Sequence, residues 1–461
     1  FKQKTAYEIR LSLVGSEMCI RDRAKFGGDV ELSQAIIVGG TISSSGAGRL
    51  LVDNNINGSQ FNGVTLSADV GFTAAAQVST GILTIINGLT LDGSTIDAQN
   101  NIGLEFSFSG TSSQTLGGTG EIIVRGNGGS TNIRNNSTNG AVATFGPDVT
   151  MRVGAASLFQ SVTVDGKSNN LAGGFVNQGT LIFENGQQNM VDLRNEGTIH
   201  VEAGTPDSVL QLFNSQNETV FVQTGGEFIV SDLVRARVGM EIRGGEITGT
   251  GGVVHFPDTP KELVVETGGT IAVGGGNTLV VDGNVVIGDG GRFEATLSGS
   301  TETGSLLISL SQFQTATGTI DLTSANNFLD IVNLGGIVPG QNYSIAQTPG
   351  QILGQFESVT PGYEVVYQLN QIFVKAISLV DGDYDNDGDV DGRDFLAWQR
   401  GESPDPFSPT DLALWQAEYN GGLLSALRLP PSALNVAVPE PGAVVLALAG
   451  LLVCLRRRGK L

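Results

Sequence analysis

The chain has 461 residues, a net charge of −21 and a hydrophobic content of 40%, and 66 of its residues are glycine. The hydrophobic content excludes general disorder, and the lack of a three-residue glycine period excludes collagen. No basic stripe lies in the body of the chain, so the sequence predicts no nucleic-acid partner. The only cysteines, Cys19 and Cys454, lie near opposite ends, so no disulfide crosslinks the body.

Residues 1–23 differ in composition from everything that follows. They are basic, poor in glycine and begin without methionine. The segment resembles translated sequencing-adapter sequence, so we expect it to be an assembly artefact and not part of the fold. A genuine amphipathic N-terminal helix is the alternative interpretation. Under the first interpretation, the true N-terminus and its export signal are missing from this sequence.

The long segment that starts at Ala24 repeats short runs of alternating apolar residues, each begun by glycine. Examples begin at positions separated by 18, 29, 19 and 24 residues, namely Gly179, Gly197, Gly226, Gly245 and Gly269. Self-similarity of this length is typical of a solenoid, in which Leu181 and Phe183 would point inward. We predict a mainly β fold, with a right-handed parallel β-helix over residues 24–340 and an aromatic C-terminal cap over 341–378. An antiparallel sandwich is the alternative.

The pattern of this body resembles the glycine-rich repeats of autotransporter-like passenger domains, although no residue-level motif is specific. Parallel β-helices include polysaccharide lyases and hydrolases, so a carbohydrate-active enzyme has to be weighed. The acidic residues are dispersed, and stacking of Glu184 on Glu202 predicts a solvated face and not a catalytic pair. His200 and His255 show no metal spacing or nucleophile partner and are predicted at surface or corner positions. We therefore predict no catalytic residues.

An aspartate-rich loop follows a compositional break near residue 378. Carboxylates recur at alternate positions, and Gly388 lies where a tight turn is required. Alternate residues of a tight loop converge on one point, and Ca²⁺ takes about six to eight oxygen ligands. The spacing predicts one Ca²⁺ site with oxygen ligands from Asp383, Asp385, Asp387, Asp389, Asp391 and Asp394. Of these, Asp389 would bind through its backbone carbonyl group.

The segment after the loop is repeated once. Asp394-Phe-Leu-Ala-Trp-Gln399 returns as Asp411-Leu-Ala-Leu-Trp-Gln416, and the second loop, residues 403–410, has a single acidic residue and three prolines. Residues 379–422 therefore resemble a degenerate dockerin module, an EF-hand-like pair of loop–helix halves in which only the first keeps a full ligand set. The resemblance implies one Ca²⁺ and a cohesin-like partner, and Trp398 and Trp415 would pack between the helices. A solvated acidic linker is the alternative.

The C-terminal segment has the composition of a sorting signal. Residues 423–438 read as a linker, and residues 439–461 contain a proline-flanked glutamate, an apolar run and an arginine cluster. This order resembles the PEP-CTERM sorting signal of planctomycete proteins, carried here by Pro439, Glu440, Pro441, Arg456, Arg457 and Arg458. The resemblance implies an apolar helix that enters the inner membrane transiently, recognition by an exosortase-type processing enzyme, and export to the cell surface, outer membrane or extracellular matrix.

These features together predict a non-enzymatic structural or adhesive protein of the cell surface, with one structural Ca²⁺ and a polysaccharide or a cohesin-like protein as partner. The alternatives are a surface carbohydrate-active β-helix enzyme, a polysaccharide lyase or hydrolase, and a scaffold component that docks through the dockerin-like module.

Overall fold

A computed structural model describes most of the body of the chain. The described residues are 24–26, 28–53, 58–73, 82–101, 105–126, 131–155, 161–167, 173–204, 209–213, 220–256, 261–274, 278–298, 305–308, 318–338, 340–377, 382–385 and 390–425. The chain divides into two compact units, residues 1–376 and 377–461. Among the described residues, all strands lie in the first unit and both helices lie in the second.

The strands of the first half of the solenoid are β1 Ala24–Phe26, β2 Val30–Leu32, β3 Ile36–Val38, β4 Thr41–Ser44, β5 Leu50–Val52, β6 Ser59–Ser67, β7 Val70–Phe72, β8 Ile82–Asn101, β9 Glu105–Phe108, β10 Gln114–Gly126, β11 Thr131–Asn135, β12 Ala143–Phe145, β13 Val149–Ala155, β14 Ser161–Asp165, β15 Phe175–Asn177, β16 Thr180–Phe183, β17 Gln187–Val191, β18 Leu193–Asn195 and β19 Thr198–Val201.

The remaining strands are β20 Val209–Phe213, β21 Val220–Val230, β22 Leu233–Ala236, β23 Gly239–Gly249, β24 Val253–His255, β25 Glu262–Val265, β26 Gly269–Val273, β27 Thr278–Asp282, β28 Asn284–Ile287, β29 Arg292–Leu297, β30 Ser305–Ile308, β31 Ile320–Leu322, β32 Phe328–Asn333, β33 Asn342–Gln347, β34 Ile352–Gly354, β35 Ser358–Val359, β36 Tyr363–Tyr367 and β37 Gln371–Ala376. The helices are α1 Gly392–Arg400 and α2 Pro409–Ser425.

Successive coils of the chain pair strand on strand in three parallel ladders. We call the ladder through β14, β17 and β20 face A, the ladder through β15 and β18 face B, and the ladder through β16 and β19 face C. The long strand β21 turns a corner and contributes to both face B and face C. Parallel pairing between coils confirms the predicted β-solenoid and overturns the antiparallel sandwich, which needs hairpin neighbours.

The interior is filled by the apolar residues of the alternating pattern. On face C, Leu181 stacks on Ile199 and Phe183 stacks on Val201, and all four side chains are buried. Successive side chains of a strand point to opposite sides, so every second residue of each coil joins one continuous core. The predicted inward orientation of Leu181 and Phe183 is therefore confirmed. A single coil cannot bury this apolar row alone, so stability depends on stacking against its neighbours.

The recurring glycines lie at the corner between faces B and C, and their spacing equals the register of the coils. Gly245 pairs directly with Gly269, and β16, β19, β21, β23 and β26 follow one another on face C. Gly226 has a φ of +65°, and a Cβ atom there would lie 1.9 Å from the carbonyl oxygen of Gly197. Because coils approach this closely only without side chains, glycine is required at this corner.

A ladder of buried amide side chains closes the same corner from inside. Asn177, Asn195 and Gln223 are fully buried and stack on successive coils. Asn177 Nδ2 donates to Asn195 Oδ1 at 2.8 Å, and Asn195 Nδ2 donates to Gln223 Oε1 at 3.2 Å. The amides also donate to backbone carbonyls beyond the turn, as Gln223 Nε2 does to Glu246 O at 2.8 Å. Each of these amides therefore bonds both to a neighbouring coil and to the backbone at the corner, which satisfies its buried polar atoms.

The parallel ladders continue past residue 340, the predicted end of the solenoid, through β34 and β35. The order then changes, because β37 pairs antiparallel with both β33 and β36. Tyr367 Oη accepts a hydrogen bond from the backbone N–H of Phe356 at 2.8 Å and joins this antiparallel segment to the last coil. An antiparallel segment after the last coil ends the parallel stacking that would otherwise offer an open edge.

Candidate metal centre

Helix α1 begins and ends with standard capping geometry. Asp391 is the N-cap and accepts a hydrogen bond from the backbone N–H of Arg393 at 2.6 Å, while the Asp394 side chain accepts from the N–H of Asp391. This reciprocal capping box satisfies donors that the first helical turn leaves unpaired. The helix ends at Gly401, whose φ of +79° is left-handed.

Asp394 organises the loop that precedes the helix. Its side chain is fully buried, and Oδ1 accepts hydrogen bonds from the backbone N–H groups of Tyr384 at 2.6 Å and Asp385 at 3.1 Å. Oδ2 accepts from the N–H of Asp391 at 2.7 Å. One carboxylate therefore holds both ends of the loop, which is the position that the spacing predicts for the residue closing a metal site.

Three of the predicted ligands converge. Carboxylate oxygens of Asp383, Asp385 and Asp394 lie within 4.8 Å of one another, and the group could hold a metal ion. Asp383 and Asp394 are buried, whereas Asp385 is exposed. Packing buried carboxylates together is unfavourable unless a cation offsets their charge. In the part of the chain that the structure describes, no other such group of three or more metal-ligating side chains is found.

Of the other predicted ligands, only Asp391 is among the described residues, and it is not in this group. Asp387 and Asp389 lie outside the described residues. The Asp391 side chain acts as the N-cap of α1, because the first turn of a helix competes for its oxygen atoms. Its predicted role as a direct or water-mediated ligand stays a prediction.

The second half of the unit reproduces the helix contacts of the first. Trp415 Nε1 donates to the carbonyl oxygen of Asp391 at 2.8 Å, and Trp398 Nε1 donates to the carbonyl oxygen of Ser408 at 3.1 Å. Asp391 lies three residues before Asp394, and Ser408 lies three residues before Asp411, so the two carbonyl groups are in equivalent positions of the two halves. The tryptophan of each half therefore donates to the equivalent carbonyl group of the other half. Ser408 Oγ accepts from the N–H of Asp411 at 3.3 Å, the counterpart of the cap on α1.

The contact between the halves has an aromatic centre. Phe395 stacks on Trp398 at a centroid distance of 5.7 Å and packs with a tilted ring against Trp415 at 4.9 Å. The tryptophans that the sequence predicts to pack together are thus joined through Phe395, which was not singled out. Gly382 lies against α2, since a Cβ atom there would meet Trp415 Cα at 2.6 Å. The metal loop and the second helix are therefore in direct contact.

The second loop has the closing residue without the ligands. Asp411 is buried, and its Oδ2 accepts from the backbone N–H of Asp405 at 2.9 Å, as Asp394 does in the first half. The Tyr384 hydroxyl donates to the carbonyl oxygen of Asp411, which joins the first loop to the start of α2. Hydrogen bonds between side chains and the backbone hold this loop, and none of its described residues belongs to the group that could hold a metal ion.

A charge network on face C brings together acids that the sequence suggests are dispersed. Glu184 accepts hydrogen bonds from Arg125 Nε at 2.9 Å and Nη2 at 3.0 Å, and Arg152 Nη1 lies 3.5 Å from it. Arg125 reaches Glu184 two coils away because Gly154 between them has no side chain. Arg152 also pairs with Glu121 at 2.8 Å, and this hydrogen bond raises the pKa of Arg152.

This network suits a structural role better than a catalytic one. Glu184 is held by guanidinium groups, whereas a general acid or nucleophile has to present an oxygen to a substrate. Partly exposed ion pairs of this kind contribute at most about 1 kcal/mol each. Further along face C, Glu246 stacks on Glu227. Burial, followed by repulsion from Glu294 and Glu227, raises the pKa of Glu246.

The two histidines occupy different environments. His200 Nε2 lies 3.3 Å from Ser231 Oγ on the outer side of face C. His255 is buried on face A, and its Nδ1 lies 2.5 Å from Asp282 Oδ2 on the next coil. A surface position is therefore wrong for His255, which is the buried last residue of β24. The partner was missed because the two residues are 27 positions apart and meet only through the register of the coils.

The predicted sorting residues Pro439, Glu440, Pro441, Arg456, Arg457 and Arg458 lie outside the described residues, as does the predicted apolar C-terminal helix. Neither helix in the described part of the chain has the length and apolarity needed to span a bilayer. Comparison with known proteins found no matching family model, curated protein or solved structure.

Proposed function

We propose that this chain is an exported, non-enzymatic structural or adhesive protein of the cell surface. The observation that carries the proposal is the solenoid, whose parallel ladders run from β1 to β35 around one continuous apolar core. Stacked coils of this kind form an extended lateral surface. Each added coil contributes stability through its contacts with the neighbouring coils. Such a body serves as a spacer or an adhesive surface, and the sorting tail would place it outside the cell.

The two-helix unit adds one Ca²⁺ site to this function. Three carboxylates converge, and oxygen-only donors at flexible geometry suit Ca²⁺ better than softer transition metals. Asp383, Asp385 and Asp394 would hold the ion, with the loop between 385 and 390 supplying the remaining oxygens. Because Trp415 bonds to the carbonyl of Asp391, an ion in the loop would also stabilise the packing of α2. A cohesin-like partner would dock on this unit, and a polysaccharide on the solenoid.

Calcium removal is expected to change tryptophan fluorescence. The chain has only two tryptophans, Trp398 and Trp415, and both lie in this unit. Chelation should release the hydrogen bond from Trp415 to Asp391 and shift the emission, and added Ca²⁺ should restore it with one ion per chain. Isothermal titration of the full chain measures the stoichiometry. No calcium uptake, or two equivalent sites, would contradict the proposal.

Surface display is tested by fractionation of cells that make the protein with its native tail. We expect the chain in the surface or extracellular fraction, with residues 456–461 removed by processing near the 439–441 motif. Mass spectrometry of the C-terminal peptide measures the removal. A Glu440→Ala variant, in which the 439–441 motif is altered, is the control that shows whether the removal depends on this motif. Retention of the intact tail on surface-exposed protein would show that the segment is a plain anchor. Recovery of all the protein from the cytoplasm would overturn the proposed function.

A further inference from the structure

A groove of about 380 Å³ lies on the solenoid where face B meets face A. It extends over successive coils, from Val142 through Val176, Arg194 and Val222 to Arg243. Its volume is at the lower end of the range typical of ligand sites, about 300–1,000 Å³. Its residues come together only through coil stacking, so no short sequence motif indicates the groove.

The register arranges the outward residues of this groove in one column. Val176 pairs with Arg194, Arg194 with Val222, and Val222 with Glu241. Apolar and charged side chains therefore alternate from one coil to the next along the solenoid axis. Coils in a parallel ladder are about 4.8 Å apart, so side chains of the same kind recur about every 10 Å. A ligand that lies along this column meets an aliphatic contact and a charged hydrogen-bonding group in turn.

The floor of the groove is apolar. Val176 and Phe221 are each 6% exposed and Leu193 is 5% exposed, so little of their surface is open, and Val222 is half-buried. The exposed hydroxyl-bearing side chain of Thr224 lies beside them. An aliphatic floor with a few polar groups at its edge accommodates a ligand that has both C–H faces and hydroxyl groups.

Among the described residues of the groove the net charge is small, because its arginines are paired with acids and Lys167 and Asp192 have opposite charges. Arg194 lies 3.0 Å from Glu196, and Arg243 pairs with Glu241 and lies 3.1 Å from Glu266. A charged ligand would lose hydration here without a compensating excess of opposite charge. Hydroxyl groups both donate and accept, so a neutral polyol can bond to guanidinium and carboxylate groups together.

We propose that this groove binds a neutral polysaccharide, with the glycan chain lying along the solenoid axis. The proposal rests on the adhesive function proposed above and identifies the surface and the ligand class for it. The half-buried side chain of Val222 would pack on a sugar ring, and Arg194 on the preceding coil would donate to hydroxyl groups.

The test is titration of the full chain with neutral gluco-, manno- and xylo-oligosaccharides, with oligouronates for comparison. We expect binding of at least one neutral series and none of the oligouronates. Arg194→Met keeps the aliphatic stem but removes the donors, and should weaken binding about tenfold or more, as for hydrogen bonds from charged groups. Val222→Asp, which places a charge on the floor, should do the same. Arg292→Met is the matched control, because Arg292 is also half-exposed and paired, with Asp330 on face C.

Loss of binding in Arg194→Met and Val222→Asp, with the control within about twofold of wild type, would support the groove. Binding of oligouronates alone, equal binding by all variants, or no glycan binding would overturn it. Cell fractionation of the wild-type protein, combined with the titration, separates the two proposals. If wild type reaches the surface yet binds no neutral glycan, the groove proposal fails while the proposed function stands. If wild type does not reach the surface, the proposed function fails, whatever the titration shows.

Discussion

Replacement of Asp394 by alanine is expected to abolish calcium binding and to disorder the loop around it. The side chain accepts hydrogen bonds from three backbone N–H groups while it contributes an oxygen to the proposed ion site. Each buried donor left without a partner costs about 1–3 kcal/mol, so both loop and helix cap lose stability. Loss of a residue that only orients a ligand lowers metal affinity about 10–100-fold. Loss of a direct ligand should lower the affinity about 100-fold or more.

Two further variants separate the metal from the hydrogen bonds. Asp394→Asn keeps the size and one acceptor, so the loop should be less disturbed, although calcium binding should still be weakened strongly. Asp405→Asn removes the same charge at an exposed position in the second loop and should leave affinity within about twofold of wild type. Calorimetric titration measures the affinity, and tryptophan emission reports the packing of the helices. Wild-type affinity in Asp394→Ala would show that the ion, if any, binds elsewhere.

The coil register was predictable because the corner between faces B and C has a strict steric requirement. A side chain at Gly226 or Gly245 would collide with the backbone of the neighbouring coil, so the glycine spacing follows the pairing of β16, β19, β21, β23 and β26. The amide ladder beside it also left a signal, since Asn177 and Asn195 each stand two residues before a corner glycine. Further along, Phe293 pairs with Leu329, 36 residues away, and an insertion of this length conceals the period.

The metal loop was predictable for a different reason. Its ligands are close in sequence, so their spacing alone brings Asp383, Asp385 and Asp394 together. The reciprocal tryptophan bonds, the pairing of His255 with Asp282 and the groove on face B depend on residues that meet across coils or across the two halves of the helical unit. Side-chain periodicity determines which residues point outward, but only the lengths of the intervening turns determine which of them become neighbours.

Replacement of Asn195 by leucine is expected to destabilise the solenoid by about 2–6 kcal/mol. Leucine has a similar size, so the effect comes from hydrogen bonds and not from a cavity. Asn195 Oδ1 accepts from Asn177, and its Nδ2 donates to Gly197 O at 3.0 Å and to Gln223 Oε1. The substitution leaves Gln223 Oε1 and one N–H of Asn177 Nδ2 without this partner inside a fully buried corner, at about 1–3 kcal/mol for each group.

The matched control is Asn189→Leu, the same substitution at an outward-facing position of face A. Asn189 is half-buried and donates to Thr163 Oγ1 at 3.3 Å, so its loss should cost under about 1 kcal/mol. Chemical denaturation measures both variants. Because each coil contacts mainly its neighbours, hydrogen exchange should show the loss of protection in Asn195→Leu concentrated in β15, β18 and β21 and the strands that follow each around the corner. Equal destabilisation by the two substitutions would mean that the amide ladder adds nothing beyond an ordinary surface contact.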